Sequence, residues 1–408
     1  MLTSHHNIHR KAAPWLLAGA LTMPVATLAT AGEISGHVGL ESRYFTNDTS
    51  DSRQDRFGLS VFGQFEYFHD WDDGNQRFVA TPFLRYDEDD SERTHFDLRE
   101  FYYRKSFEDQ GIDLYVGART VFWGVTESLH LVDVINQTDL VENLDGEDKL
   151  GQPMVQLSWE QDWGTLDLFY LPYFRERTFP GENGRLRTPF VVDTDRAEYE
   201  SGAEQWQPSF AARWSNSIGD WDIGVSQFYG NSPEPRFIQD NSGSETVLVP
   251  RYDLLNQTSI DVQYTAEDWL WKLEALTRDS FDGRSNAFVG GFEYTLFDIK
   301  ETGLDIGLIA EFQYDDRSGE IQPIGDNDIA FGTRFTLNDT NDTDILFLTA
   351  IDVETGSQFY TVEADRRIGE DWEVELQARF FANADNANDP LTIFNQEDYF
   401  QLTLRKFF

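Results

Sequence analysis

Residues 399–408 read YFQLTLRKFF, an alternation that admits few folds. Phe400, Leu402, Leu404 and Phe408 fall on one face of an extended chain, and Gln401, Thr403 and Arg405 fall on the other. A period of two sends successive side chains to opposite faces of a sheet. An apolar row backed by a polar row suits a half-buried strand of a soluble sheet, or a wall between hydrocarbon and water. The same alternation recurs along the chain. Ile34, Gly36, Val38 and Leu40 make one row, and Phe57, Leu59, Val61, Phe65 and Tyr67 the next. Leu304, Ile306, Leu308, Ala310, Phe312 and Tyr314 oppose Asp305, Gly307, Glu311, Gln313 and Asp315. Trp372, Val374, Leu376, Ala378 and Phe380 oppose Glu373, Glu375, Gln377 and Arg379.

The connections decide between the two walls. Short acidic or glycine-bearing turns at 70–75, 108–111, 161–164, 216–220, 266–268, 298–303, 338–343 and 369–371 alternate with mostly longer segments at 125–152, 178–204, 231–250, 315–327 and 383–396. A soluble sandwich has no reason to sort loop lengths by parity, whereas a membrane barrel keeps short turns on one rim and long loops on the other. The rows predict an all-β fold, a transmembrane antiparallel up-and-down β-barrel of about 18 strands, with 16 the alternative, wide enough for an aqueous lumen unless a segment folds in. Residues 32–408 are expected to form this barrel as one domain.

The N-terminus predicts export. His9, Arg10 and Lys11 precede an apolar stretch interrupted by Pro14 and Pro24, and Ala29-Thr30-Ala31 supplies a small-x-small cleavage pattern. Residues 1–31 read as a secretory signal peptide. With no cysteine, no disulfide framework or thiolate chemistry is available. A formal charge of −41 repels nucleic acid, so DNA and RNA are excluded as partners. Acidic runs such as DEDDSE after Tyr86 read as solvated loops, or as divalent-ion bridges to lipopolysaccharide. The expected surroundings are outer-membrane lipid and lipopolysaccharide, with small solutes as cargo. Neither a cofactor nor a metal is called for.

No GxxxxGK[ST], HExxH or GxSxG motif occurs. Ser128, His130 and Asp133 are close in sequence, which keeps a barrel enzyme of lipase or protease type as an alternative. A plugged structural or adhesive barrel is another. The segment 125–152 contains Leu129, Val132, Val134 and Ile135, too apolar for a solvated tether, and is predicted to fold inward and narrow the lumen. Its acids Glu127, Asp133, Asp139, Glu142 and Asp145 are the candidate constriction. Arg85, Arg99, Arg119, Arg175, Arg213, Arg334 and Arg379 are the candidate basic wall, with Arg278 and Arg405 beside them. Facing rows of opposite charge would set a transverse field and a charge preference.

Three segments carry a family resemblance: DLREFYYR from Asp97, GARTVFWG from Gly117 and VDVINQTDL from Val132. They resemble a poorly characterised family of porin-like outer-membrane β-barrels of Gram-negative bacteria, as do LFYLPYF from Leu168 and WLWKLEAL from Trp269. The chain departs from that pattern at Gln137-Thr138, where members carry Asn-Pro-Val/Thr, and in a Trp-Gly-Val without glutamate. The resemblance implies a pore-like barrel and no chemistry. The final aromatic residue, Phe408, is likewise similar to the C-terminal signature that the outer-membrane barrel assembly machinery reads.

Overall fold

A computed structural model describes residues 32–49, 51–317, 323, 325–386 and 389–408. The expected signal peptide lies outside the described residues, as do parts of the segments 315–327 and 383–396. The strands in chain order are β1 (Glu33–Phe45), β2 (Phe57–Trp71), β3 (Gln76–Asp87), β4 (His95–Phe107), β5 (Ile112–Arg119), β6 (Gln152–Gln161) and β7 (Gly164–Leu171). Next come β8 (Val191–Val192), β9 (Glu198–Tyr199), β10 (Ser209–Ile218), β11 (Trp221–Asn231), β12 (Arg236–Asp240), β13 (Val247–Tyr252), β14 (Leu254–Ala266), β15 (Trp269–Ser280) and β16 (Gly283–Leu296). The last are β17 (Asp305–Asp315), β18 (Asp328–Thr336), β19 (Asp344–Asp352), β20 (Gln358–Ile368), β21 (Trp372–Ala382) and β22 (Tyr399–Phe407).

Eighteen of these form one antiparallel sheet in which each strand pairs with the next along the chain. The sheet closes where β1 meets β22, with Leu40 opposite Leu404. This is the up-and-down barrel that the alternation predicts, at the expected strand number. Closure leaves no unpaired edge in the wall. The other four strands, β8, β9, β12 and β13, make a small separate sheet from the long connections 172–208 and 232–253.

Parity holds with two exceptions. The connections between β2 and β3, β4 and β5, and so on are turns on one rim, and the long segments share the other rim. There, however, β15 and β16 are joined by only Phe281 and Asp282, and β19 and β20 by the five-residue connection 353–357.

The apolar rows face outward. Leu84 and Tyr86 are exposed while Phe83 and Arg85 between and before them are buried; Leu376 and Leu402 are exposed beside buried Gln377, Gln401 and Thr403. An outward leucine belongs in hydrocarbon, so Leu376→Arg should destabilise the barrel by roughly 2–4 kcal/mol near mid-depth. Urea titration in lipid vesicles measures this; tolerance equal to a polar outward site would place the wall the other way round. The sequence alone makes Gln377→Arg look neutral, as at a wet lumen position. The structure corrects that: Gln377 is 2 % exposed and packs against Tyr399, whose hydroxyl reaches its Oε1. The added guanidinium has no room there.

One irregularity positions the interior. Between β3 and β4 the register shifts at Thr81/Pro82, so that Pro82 pairs with Leu98 and Thr81 with Glu100. Arg99 is the extra residue of a β-bulge: it points inward with the same parity as Asp97, and the insertion turns Phe101 outward where unbroken alternation from Asp97 would turn it in. Where the chain returns to β6, Gly151 passes this bulge. A Cβ there would lie 2.2 Å from the Leu98 carbonyl oxygen, so only glycine fits.

Candidate functional site

Residues 120–151 connect β5 to β6 and turn into the barrel. Trp123, Val132, Val134 and Ile135 are buried together with Met154, Phe169, Leu171, Ala211, Phe228 and Leu255 from the inner faces of β6, β7, β10, β11 and β14. Burying these side chains, at roughly 1.5–3 kcal/mol for each large one, explains why a segment this apolar does not float in water. Further along, Leu144 packs against two other buried clusters, one with Phe381, Leu391 and Phe394, the other with Phe45, Leu186 and Tyr399. The segment therefore touches opposite arcs of the wall.

Two wall carboxylates grip its backbone. Glu274 of β15 is fully buried. Its Oε1 accepts hydrogen bonds from the N–H groups of Val125 (2.7 Å) and Thr126 (3.0 Å) and from the Thr126 hydroxyl (2.7 Å), and its Oε2 from the Val132 N–H (3.2 Å). Glu311 of β17 accepts from the N–H groups of Glu127 (2.9 Å) and Ser128 (2.8 Å) and from the Ser128 hydroxyl. Converging N–H donors thus satisfy the oxygens of both buried side chains.

The segment's own acids meet wall cations directly. Glu142 is bidentate with Arg85 of β3 at 2.6–3.0 Å, Asp139 contacts Arg99 at 2.7 Å, Asp145 contacts Arg379 of β21 at 2.8 Å, and Glu127 pairs with Arg334 of β18. Asp133 instead meets Lys149 of the same segment at 3.0 Å. The acids and arginines singled out from the sequence thus neutralise each other in contact, and they do not face one another across an open gap. Burial alone would push the Asp139 carboxyl up; the His95 ring and Arg99 beside it hold it well below the usual carboxylate range.

The remaining arginines take other roles. Arg213 of β10 pairs with Asp261 of β14 within the wall. Arg119 lies 3.9 Å from the Tyr115 ring centroid and donates to Gln156. Arg278 pairs with Asp315, and Arg405 with Glu373 and Glu375. Arg175 is not a strand residue: it lies in the connection after β7 and binds Asp97 at 2.8 Å and the Gly151 carbonyl. The pattern LFYLPYFR continues past Leu171, so the strand's end could not be read from alternation.

Glu274 and Glu311 were not singled out from the sequence, although parity in WLWKLEAL places Lys272 and Glu274 inward. Ser128, His130 and Asp133 have separate partners: the Ser128 hydroxyl donates to Glu311, the His130 ring meets Phe122 edge-on, and Asp133 takes Lys149 and the Trp123 N–H. Among the described residues, His95, Asp139 and Glu142 bring ligand atoms within 4.8 Å of one another. Arg85 and Arg99 already neutralise both carboxylates, which leaves little to attract a metal ion.

A second feature survives on the other side of the lumen. Register aligns Asp344 of β19, Asp365 of β20, Glu375 of β21 and Thr403 of β22 in one inward row. Among the described residues, neither Asp344 nor Asp365 has an ion-pair partner. Asp365 and, on the segment, Glu147 are exposed to solvent, and the Glu363 side chain retains 36 % of its exposure at mid-strand. Water therefore reaches the inside of this arc.

These features define a β-barrel of the outer-membrane class, with an internal segment and an acidic inner arc. No protein-family model and no curated protein matches the sequence. Solved structures do resemble it. Wzi, an outer-membrane protein involved in group 1 capsule assembly in Escherichia coli and described as a carbohydrate-binding β-barrel, aligns over 91 % of this chain and 84 % of its own at 9 % identity, with a TM-score of 0.51. OccK11 of Pseudomonas aeruginosa aligns over 92 % and 95 % at 11 % identity (TM-score 0.49), and a mutant of the Rh. blastica porin over 93 % and 100 % at 12 % identity (TM-score 0.43). At such identities the likeness is one of fold alone.

Proposed function

We propose that this protein is a porin-like channel of the Gram-negative outer membrane, passing small solutes by diffusion around the folded-in segment 120–151. The observation that carries the reading is the inner arc of β19–β21, where Asp344 and Asp365 have no ion-pair partner among the described residues and Asp365 and the Glu363 side chain keep solvent exposure. A barrel filled for strength alone would bury or pair Asp344 and Asp365 as it pairs Glu363 with Arg379. The segment acts as the constriction, held by Glu274 and Glu311 and by ion pairs to Arg85, Arg99, Arg334 and Arg379. The reading needs no catalytic group, and the separate partners of Ser128, His130 and Asp133 support it over a lipase or protease. The resemblance of LRE, GxRxxxWG and INxxD to porin-like barrels points the same way.

Purified protein in planar bilayers should give discrete ohmic steps with a modest preference for cations. A barrel that inserts and yields no steps would overturn the channel in favour of a plugged structural barrel.

In this reading both ends of the barrel chain lie in the periplasm, with lipid and lipopolysaccharide around the wall. Phe408 is the residue offered to the assembly machinery; its N–H binds the Gly36 carbonyl and its ring lies 5.8 Å from Phe65. Ser242→Cys, in a long connection, should react with an impermeant maleimide on intact cells, whereas Asp371→Cys, in a short turn, should react only after lysis. The opposite pattern would invert the topology. Gly325 is a poorer probe site: its φ is +82° and a Cβ there would lie 2.1 Å from the Gln313 side-chain oxygen.

A further inference from the structure

Where β18 begins and β19 ends, the interior charge pairing breaks down. Asp328 and Asp352 are register partners on adjacent strands. Such positions hold their Cβ atoms about 4.5–5.5 Å apart, and like charges directly opposite repel. Both are buried, at 5 % and 7 % exposure, and so is Asp389, at 5 %, in the connection that folds over them. Asp389 Oδ2 accepts from the Thr355 hydroxyl at 2.7 Å, and Asp352 Oδ1 accepts the N–H groups of Glu354 and Thr355 at 2.7 and 2.9 Å, so the connections 353–357 and 383–398 meet here. The charges that bear on Asp328 are those of Asp352, Asp326 and Asp389. The Asp328 Oδ2 is buried and has no hydrogen-bond partner.

Elsewhere the buried wall acids are provided for. Glu41 has Arg85 and Arg93, Asp261 has Arg213, Asp315 has Arg278 and Arg317, and Glu274 and Glu311 have their cages of N–H donors. Among the described residues no lysine or arginine forms an ion pair with Asp328, Asp352 or Asp389, and none occurs in the sequence at 318–333, 335–365 or 380–404. A buried, unpaired carboxylate beside two more is expensive unless a positive charge joins it.

We infer that Asp328, Asp352 and the acids around them hold a divalent cation of the calcium class, which ties the outer ends of β18 and β19 to the connections 353–357 and 383–398. The donors are carboxylate oxygens with no histidine or cysteine, the chemistry that hard cations take and zinc does not favour. Asp328 and Asp352 are the terminal residues of their strands, and Asp389 sits in the connection that follows β21. Calcium tolerates a flexible shell completed by water, whereas magnesium demands a small regular octahedron. This site is separate from the constriction and stands whether or not the barrel conducts.

The test is calorimetric titration of the full-length folded barrel in detergent with CaCl2, in 0.15 M KCl to screen diffuse binding to the acidic surface. One saturable site is expected, weakened at least about tenfold in Asp328→Asn, with a weaker response to MgCl2. Thermal unfolding adds a sign. In EDTA the Asp328→Asn variant should be at least as stable as the parent, because a repulsion is gone; with calcium the parent should overtake it. Absence of a saturable calcium site, full retention of it in Asp328→Asn, or a variant less stable than the parent in EDTA would each overturn the site. A response to magnesium equal to that to calcium would overturn the calcium assignment. Should Asp328→Asn fail to fold, Asp352→Asn takes its place in both measurements.

Discussion

Replacing Glu274 with alanine is expected to release one end of the internal segment and raise single-channel conductance several-fold. The side chain is the shared acceptor for three backbone N–H groups and one hydroxyl of the segment. Without it, each N–H that stays dry loses about 1–3 kcal/mol, and those that rehydrate do so only by letting water between segment and wall. Either route loosens residues 125–132. The wall itself keeps its ladder, because the β14–β15–β16 pairing is made by main chain. Conductance in bilayers and chymotrypsin cleavage at Phe122, Trp123, Leu129 or Leu131 should therefore change together, while heat-modifiable migration on gels does not. A variant with parental conductance and parental cleavage would mean that the apolar contacts of Trp123, Val132, Val134 and Ile135 hold the segment unaided.

The second large effect concerns charge selection. A carboxylate about 6 Å from a passing ion in a water-like medium contributes about 0.7 kcal/mol, or about a threefold change in local concentration. Asp344 and Asp365 are the unpaired members of the inner row. Because anions are depleted by the same factor, Asp344→Asn with Asp365→Asn should thus lower the cation-to-anion permeability ratio by about tenfold or more at low salt. The effect should fade toward 1 M, where the Debye length is about 3 Å. Asp139→Asn and Glu142→Gln are instructive by contrast. Each strips a buried arginine of its partner, which costs about 3–5 kcal/mol when a pair is broken from one side. Their first effect falls on how firmly the segment is held. Reversal potentials in asymmetric KCl separate the cases; a ratio unmoved by the double change would remove the inner row as the filter.

The barrel was largely legible in the sequence because a two-residue period is local information. Every residue of β17, from Asp305 to Asp315, declares its face by its neighbours. The inward fold of 120–151 was legible for the same kind of reason, since Val132, Val134 and Ile135 need burial wherever they lie. Pairing was not. Arg85 and Glu142 are far apart in sequence, and nothing local says that they touch instead of facing each other over water. The Arg99 bulge was hidden too, because an inserted residue reads as a lapse in alternation. Arg175 was misplaced by the same local logic: aromatic alternation runs on past the point where β7 leaves the wall.

Arg119 and Gln152 are direct register partners, so β5 and β6 form a hairpin that is complete without the 32 residues between them. The internal segment is in that sense a pendant hung from a closed clasp. It begins and ends at one point on the wall, and none of its length is spent bridging strands. Shortening it, lengthening it or exchanging it for another sequence leaves the ladder of both neighbours in register. A lineage can thus refit the inside of such a barrel without rebuilding the outside, and an engineer has the same freedom.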